Sequence, residues 1–355
     1  MPTRRDFIKH AAGAVAGIAF TGCSLNAPQQ QAQSAGRRRQ VVVNGRRVKT
    51  VDVHAHCVIP EAVSLMGIMF TPPSLDMAHD RIRVMDEQGI DVEALSINPT
   101  WYQLDRDRAA QVVKIQNEKL AELCASQPDR FVAFASLALQ YPDLAVQQLE
   151  QGVKKLGLRG AAIGGNVAGE KFADSKFHPV WAKAEELGVV LFIHPQGVPE
   201  LNKKLAGNGV LENVIGNPLD TTIALSHLIF QGTLDRFPGL KICAAHGGGY
   251  IASYADRSDH GCLTFPDRCD KNIVLKKKPT EYLNQMYFDS LIFGSEALRH
   301  LAAQVGSSQI VLGTDYPFPW QDKAVDHVLN TPSLNDAERA AILGETAAKL
   351  LGIRF

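Results

Sequence analysis

Histidine recurs at the ends of apolar runs in this chain: Asp52-Val53-His54-Ala55-His56, Phe192-Ile193-His194-Pro195 and Ala244-Ala245-His246-Gly247-Gly248-Gly249. An aspartate takes the equivalent place in Gly313-Thr314-Asp315-Tyr316-Pro317. A buried polar group left unpaired costs about 1–3 kcal/mol, so four histidines and an aspartate at such places have no good packing explanation. A shared cation supplies one. Neutral imidazole with one carboxylate suits zinc first, with manganese or iron also possible, and fits calcium or magnesium poorly. Side chains alternate along a strand, so His54 and His56 point the same way while Cys57 points opposite.

The elements that must position these residues are legible as apolar runs: Val51 to Val53, Val92 to Ile97, Phe131 to Leu139, Gly160 to Ile163, Val189 to Ile193, Leu240 to Ala245, Met286 to Asp289 and Ile310 to Leu312. Between them, segments such as Ala78 to Gln88, Ala109 to Ser126, Leu144 to Leu156 and His178 to Leu187 space their apolar residues by three and four, as amphipathic helices do. Eight alternations of nearly continuous apolar strands with helices predict an α/β fold, a (β/α)8 TIM barrel, with an open doubly wound sheet as the alternative. In a barrel all five metal-type residues converge on the C-terminal mouth. The end of strand four reads Gly164-Gly165-Asn166, without the carboxylated lysine or acid that a bridged second ion would need. One divalent ion is therefore expected.

Other residues at the strand ends have two readings each. Asp289, in Tyr287-Phe288-Asp289-Ser290, lines the pocket or caps a helix. Trp101, Tyr102 and Phe318 stand on mouth loops, where they stack on a flat substrate or anchor the loops themselves.

The 355 residues include 37 Lys+Arg against 37 Asp+Glu, so no global field favours nucleic acid or a membrane surface, and a small-molecule substrate is expected. Thr3-Arg4-Arg5-Asp6-Phe7-Ile8-Lys9 precedes a weakly apolar stretch, Ala11 to Phe20, that is similar to a twin-arginine export signal and too short to span a bilayer. Thr21-Gly22-Cys23 resembles a lipoprotein cleavage box, with Phe20 unusual at its first position. Residues 1–35 are accordingly expected to be signal and linker, leading to a periplasmic protein or one anchored by lipid at Cys23. Export of an already folded chain suits a site loaded in the cytoplasm. Residues 36–49 predict a hairpin around Asn44-Gly45, capping one end of the barrel, and residues 50–355 the catalytic domain. Cys57, Cys124, Cys243, Cys262 and Cys269 lack CxxC spacing; they support neither a disulfide framework nor a thiolate zinc site, and most are read as buried thiols.

His-x-His, His-Pro, Ala-His-Gly-Gly-Gly and Gly-Thr-Asp-Tyr-Pro-Phe-Pro together resemble the aminocarboxymuconate semialdehyde decarboxylase family of the amidohydrolase superfamily, relatives of which include γ-resorcylate and 5-carboxyvanillate decarboxylases. The resemblance covers Thr50 to Phe355 and includes Arg81-Ile82-Arg83-Val84-Met85-Asp86. It implies that His54, His56, His194 and Asp315 are metal ligands and that His246 is the acid/base. It also implies a homodimer in which Arg257, eleven residues after His246, binds substrate carboxylate in the neighbouring subunit. Asp315 has a second reading as a proton-handling carboxylate beside the ion. Gln196 follows Pro195 where the muconate enzyme has a tryptophan, and Met66 to Ala78 offers no clear second substrate arginine, so the substrate is expected to differ.

The implied reaction is non-oxidative decarboxylation of an unsaturated or aromatic carboxylate. Loss of CO2 leaves carbanion character that needs a Lewis acid and a proton donor. A metal-dependent hydrolase of a lactone, ester or amide is the alternative, with a hydratase and a metal-dependent binding protein behind it.

Overall fold

Runs dominated by Val, Ile, Leu, Ala and Phe, buried on both faces, are what a parallel sheet covered by helices requires. The computed structural model, which describes residues 38–67, 80–320 and 323–355, forms eight such strands: β1 (Val51–His56), β2 (Val92–Ser96), β3 (Phe131–Ala133), β4 (Gly160–Ile163), β5 (Val190–Ile193), β6 (Lys241–Ala244), β7 (Met286–Asp289) and β8 (Ile310–Val311). All neighbouring pairs are parallel: β1 to β2 to β3, and β4 to β5 to β6 to β7 to β8. Parallel bridges Ala135–Ala161, Asp52–Leu312 and Ala55–Tyr316 join the two sheets at both edges, so the sheet closes into a barrel. The predicted helices are present as Arg81–Gln88, Arg106–Ser126, Pro142–Lys154 and His178–Leu187. The export-signal segment lies outside the described residues.

Two cores follow from strand alternation. Val53, Ala94, Val132, Phe134, Ala162, Phe192, Cys243 and Val311 fill the barrel interior. Ala55, Leu95, Ala133, Ile163, Ile193, Ala244, Phe288 and Leu312 belong to the second core, with residues of the surrounding helices. Strand β1 departs from strict alternation. Its register against β2 slips between Asp52 and Ala55, so one extra residue sits in β1. Val51 and Val53 lie in the inner core, and after the slip His54 and His56 converge with the other histidines while Ala55 and Cys57 join the outer core. A bulge beside an active site re-aims side chains in this way.

The expected hairpin is formed by Val42–Val43 and Arg46–Arg47, antiparallel, with Asn44 (φ 48°) and Gly45 (φ 74°) both left-handed, as a type I′ turn requires. Arg47 donates to both oxygens of Asp91 (2.6 and 2.8 Å), just before β2, which puts the hairpin at the N-terminal end of the barrel, away from the mouth. The cysteine reading needs correction. Cys57 and Cys243 are buried thiols, but Cys262 and Cys269 form a disulfide. The helix Ala255–Thr264 ends between them and the chain doubles back through the turn Pro266–Arg268, a closure that no spacing rule signals. No helix among the described residues is long and apolar enough to cross a membrane.

Candidate metal centre and active site

The ends of β1, β5 and β8 bring His54, His56, His194 and Asp315 together, with one donor atom from each lying within 4.8 Å of all the others. His54 and His56 come close, Nε2 to Nε2 at 3.0 Å. Hydrogen bonding on the far side of each ring decides what these atoms can do. His54 Nδ1 lies 2.6 Å from Asp289 Oδ2 and His194 Nδ1 lies 3.0 Å from the Pro195 carbonyl, so each Nδ1 carries the proton and donates it. His56 Nδ1 is 3.2 Å from Ser96 Oγ, whose own proton goes to the Ala55 carbonyl. The three Nε2 atoms are therefore lone pairs aimed into one space. Asp315 Oδ1, 3.1 Å from His54 Nε2 and 2.8 Å from His56 Nε2, accepts no hydrogen bond although buried.

Three neutral imidazole nitrogens and an orphaned carboxylate oxygen repel one another unless a cation lies among them, so the donor set fits a divalent transition ion. Burial opposes charge on His54, but the Asp315 and Asp289 carboxylates overcome it and raise its pKa to about 10. Burial pushes His56 down to about 4 and His194 well below the usual histidine range, leaving both neutral. Burial alone would raise Asp315, yet His54 and the other histidines hold it well below the usual carboxylate range.

The strand ends are held by buried carboxylates. Asp289 is fully buried, and its four acceptor positions are all taken: Oδ2 by His54 Nδ1–H and the His246 amide (3.0 Å), Oδ1 by the Gly247 amide (2.9 Å) and the Leu291 amide (3.1 Å). Asp52 does the same for the other side, accepting from the amides of His54 (2.9 Å) and Thr314 (3.1 Å) and from the Thr314 hydroxyl. Arg81, buried against Glu93 at 2.7 Å, donates to the His56 carbonyl. Phe192 packs edge-on under His54, with its ring centroid at 5.2 Å, and stacks on Phe134. Gly313 is small because a Cβ there would lie 2.8 Å from that of Asp289.

His246 stands beside this cluster, with Nε2 3.7 Å from Asp315 Oδ2 and a buried Nδ1 that has no hydrogen-bond partner. Both His246 (φ 55°) and Asp315 (φ 60°) are held in the left-handed region, a strain that non-glycine residues accept mainly where the surroundings dictate it. They sit where two cavities meet. One, about 330 Å3, is lined by His194, Asn98, Thr100, Gln196 and Phe318; the other, about 350 Å3, by Tyr250, Ile292, Phe293 and His300. Both are also lined by His246, Asp315, Asn213, Asn217 and Trp320.

The remaining candidates divide. Phe318 lines the cavity and packs edge-on against His56, centroids 5.7 Å apart. Trp101 is corrected: it is fully buried and its indole N–H donates to the Leu137 carbonyl at 2.8 Å, so it anchors a loop and cannot stack on substrate. Asp289 is likewise corrected, since every acceptor position it has faces protein and none faces the cavity. Arg257 is exposed on the helix Ala255–Thr264 and lines neither cavity. Asn213, Asn217 and Trp320 were missed; they lie in the π-helical turn Glu212–Gly216, at the start of the helix Asn217–Phe230 and in a loop, where residue type gives no spacing signal.

The fold and site define a metal-dependent α/β-barrel enzyme, and comparison with known proteins agrees. The profile of the family described as Amidohydrolase matches residues 51–353. The chain is 31% identical to 2-amino-3-carboxymuconate-6-semialdehyde decarboxylase of Dictyostelium discoideum over 77% of its own length and 76% of that protein. It is also 31% identical to γ-resorcylate decarboxylase of Polaromonas sp., over 76% and 85%. A Polaromonas dihydroxybenzoic acid decarboxylase, solved with bound manganese and the inhibitor 2-nitroresorcinol, superposes with a TM-score of 0.76 at 28% identity, covering 86% of this chain and 97% of that one. The chain belongs to the amidohydrolase family, in its aminocarboxymuconate semialdehyde decarboxylase-like branch.

One consequence of the Asp289 arrangement is directly testable. Asp289→Asn places amide hydrogens against one pair of its present donors, and is expected to lower metal affinity about 10–100-fold, the range for losing such a partner. Metal titration of the purified variant checks this; unchanged affinity would show that His54 needs no carboxylate to hold its tautomer.

Proposed function

We propose that this protein is a metal-dependent carboxy-lyase that removes CO2, without oxidation, from an aromatic or unsaturated carboxylate. The observation that carries the reading is His246, set with an unpartnered Nδ1 and an Nε2 3.7 Å from Asp315 at the edge of a donor cluster built for a cation. His54, His56, His194 and Asp315 hold the ion. When bound, it supplies Lewis-acid stabilisation of negative charge developing on the substrate. The bond from the ring or alkene carbon to the carboxyl carbon breaks, its electron pair stays on the former, and CO2 leaves. His246 gives that carbon a proton and regains one from solvent. Asp315 Oδ2 lies 3.7 Å from His246 Nε2, and Asp289 holds the backbone of His246 in place.

In D2O the reaction is expected to place one deuterium on the carbon that lost CO2, read by mass spectrometry of the product. Turnover of lactones or amides without CO2 or carbon-bound label, while aromatic and muconate-type acids are untouched, would replace this reading with hydrolysis.

For the ion we propose manganese or zinc: the donor set accepts both, and a related decarboxylase was solved with manganese. We further propose a homodimer in which Arg257 serves the partner's site. It makes no ion pair among the described residues and lies on a helix that carries exposed Leu263 and follows exposed Tyr254. Mixing inactive Arg257→Ala chains with inactive His246→Ala chains is then expected to restore part of the activity through hybrid sites; verified heterodimers without activity would refute the sharing. Export, with the mature chain periplasmic or lipid-anchored at Cys23, remains our proposal from Arg4-Arg5, and the Cys262–Cys269 disulfide suits an oxidising compartment.

A further inference from the structure

The two cavities that meet at His246 and Asp315 differ in character. The one reaching His194 carries the polar side chains of Asn98, Thr100 and Gln196 on its wall. The other extends between the loops after β6 and β7, and beyond the residues it shares with the first its wall is mostly apolar, with Tyr250, Leu291, Ile292 and Phe293 set beside Ser253 and His300. At about 330 and 350 Å3, each by itself reaches the lower end of the roughly 300–1,000 Å3 range of small-molecule pockets. A single ring with its carboxylate has use for one of them.

The rim of the apolar lobe adds a second observation. Phe293 and Trp320, from loops after different strands, meet with ring centroids 6.3 Å apart, and together with Tyr250 they stay 62%, 40% and 40% exposed. Three large aromatic side chains left facing solvent at the mouth of a cavity form an apolar surface that is covered only when something fills it.

Resting on the carboxy-lyase reading, we infer that the substrate is larger than one ring: its carboxylate-bearing end occupies the polar lobe, and an aryl or alkyl extension occupies the lobe walled by Tyr250, Ile292, Phe293 and Trp320. Specificity is then set by apolar burial at a distance from the reacting carbon. A buried methylene contributes about 0.8 kcal/mol, so affinity should rise about fourfold per methylene until the lobe is full.

The test uses the metal-loaded protein and 2-hydroxybenzoates carrying methyl, propyl, pentyl or phenyl groups at each ring position in turn. Binding is measured by calorimetry and CO2 release is measured separately. The expected result is a stepwise gain in affinity with chain length at one ring position, and a long-to-short affinity ratio that falls toward one in Phe293→Ala and Trp320→Ala. Affinity that is flat or falls with length at every position overturns the inference, as does a ratio unmoved by both substitutions or no binding of any acid. The two readings separate cleanly. Rising affinity without CO2 release keeps the extended ligand and refutes the lyase, whereas CO2 release with flat affinity keeps the lyase and refutes the extension.

Discussion

His246→Asn is expected to lower kcat by about 10²–10⁴-fold, the usual contribution of a positioned general acid, while the protein keeps its fold and its ion. The choice of asparagine follows from the backbone. Residue 246 has φ 55°, and Asn tolerates the left-handed region better than most residues, so the substitution removes the proton carrier without adding strain. Its amide hydrogen bond to Asp289 comes from the main chain and survives the change. Circular dichroism and elemental analysis check the fold and the ion, and steady-state kinetics reads the loss. A kcat within a few-fold of the wild type would move the proton donor elsewhere, with Asp315 the next group in reach.

The second large effect is expected from His194→Ala, which should lose ion and activity together. The imidazole of His194 is fixed by its Nδ1–H on the Pro195 carbonyl, so its Nε2 lone pair is available without rearrangement. Taking it away leaves His54, His56 and Asp315, three donors for an ion that four were placed to hold. Metal content by mass spectrometry and CO2 release should fall in proportion across preparations. Full occupancy in the variant, or two ions per wild-type subunit, would contradict a single centre built on these four residues.

The barrel was legible because a strand buried on both faces must be apolar almost throughout, and all eight runs show it; so was the cluster, because polar side chains at the ends of such runs have few other reasons to be there. What stayed illegible depends on direction in space. Trp101 and Phe318 look alike as aromatic residues on mouth loops, and only the fold shows that the indole N–H of Trp101 meets Leu137 inside the protein while Phe318 reaches the cavity. Asp289 stands at a strand end just as Asp315 does, yet its neighbours are four N–H donors and those of Asp315 are lone pairs. The same residue type is thus a clamp in one place and a cation donor in the other, and sequence position does not separate them. Cys262 and Cys269 meet only because a helix ends between them and the chain turns back.

The slipped register of β1 has a consequence for how far this site can be redesigned. Up to Val53 the odd-numbered side chains belong to the barrel's inner core, and from His54 onward the even-numbered ones face the ion's place. One strand therefore runs in two phases, and the residue count between Val51 and His56 is itself part of the site. Inserting a single residue between Val53 and His54 would leave composition and hydrophobicity almost unchanged while turning both histidines toward the helices. In variant libraries that exchange ligands in β1, length must be treated as a locked parameter and residue identity as the free one.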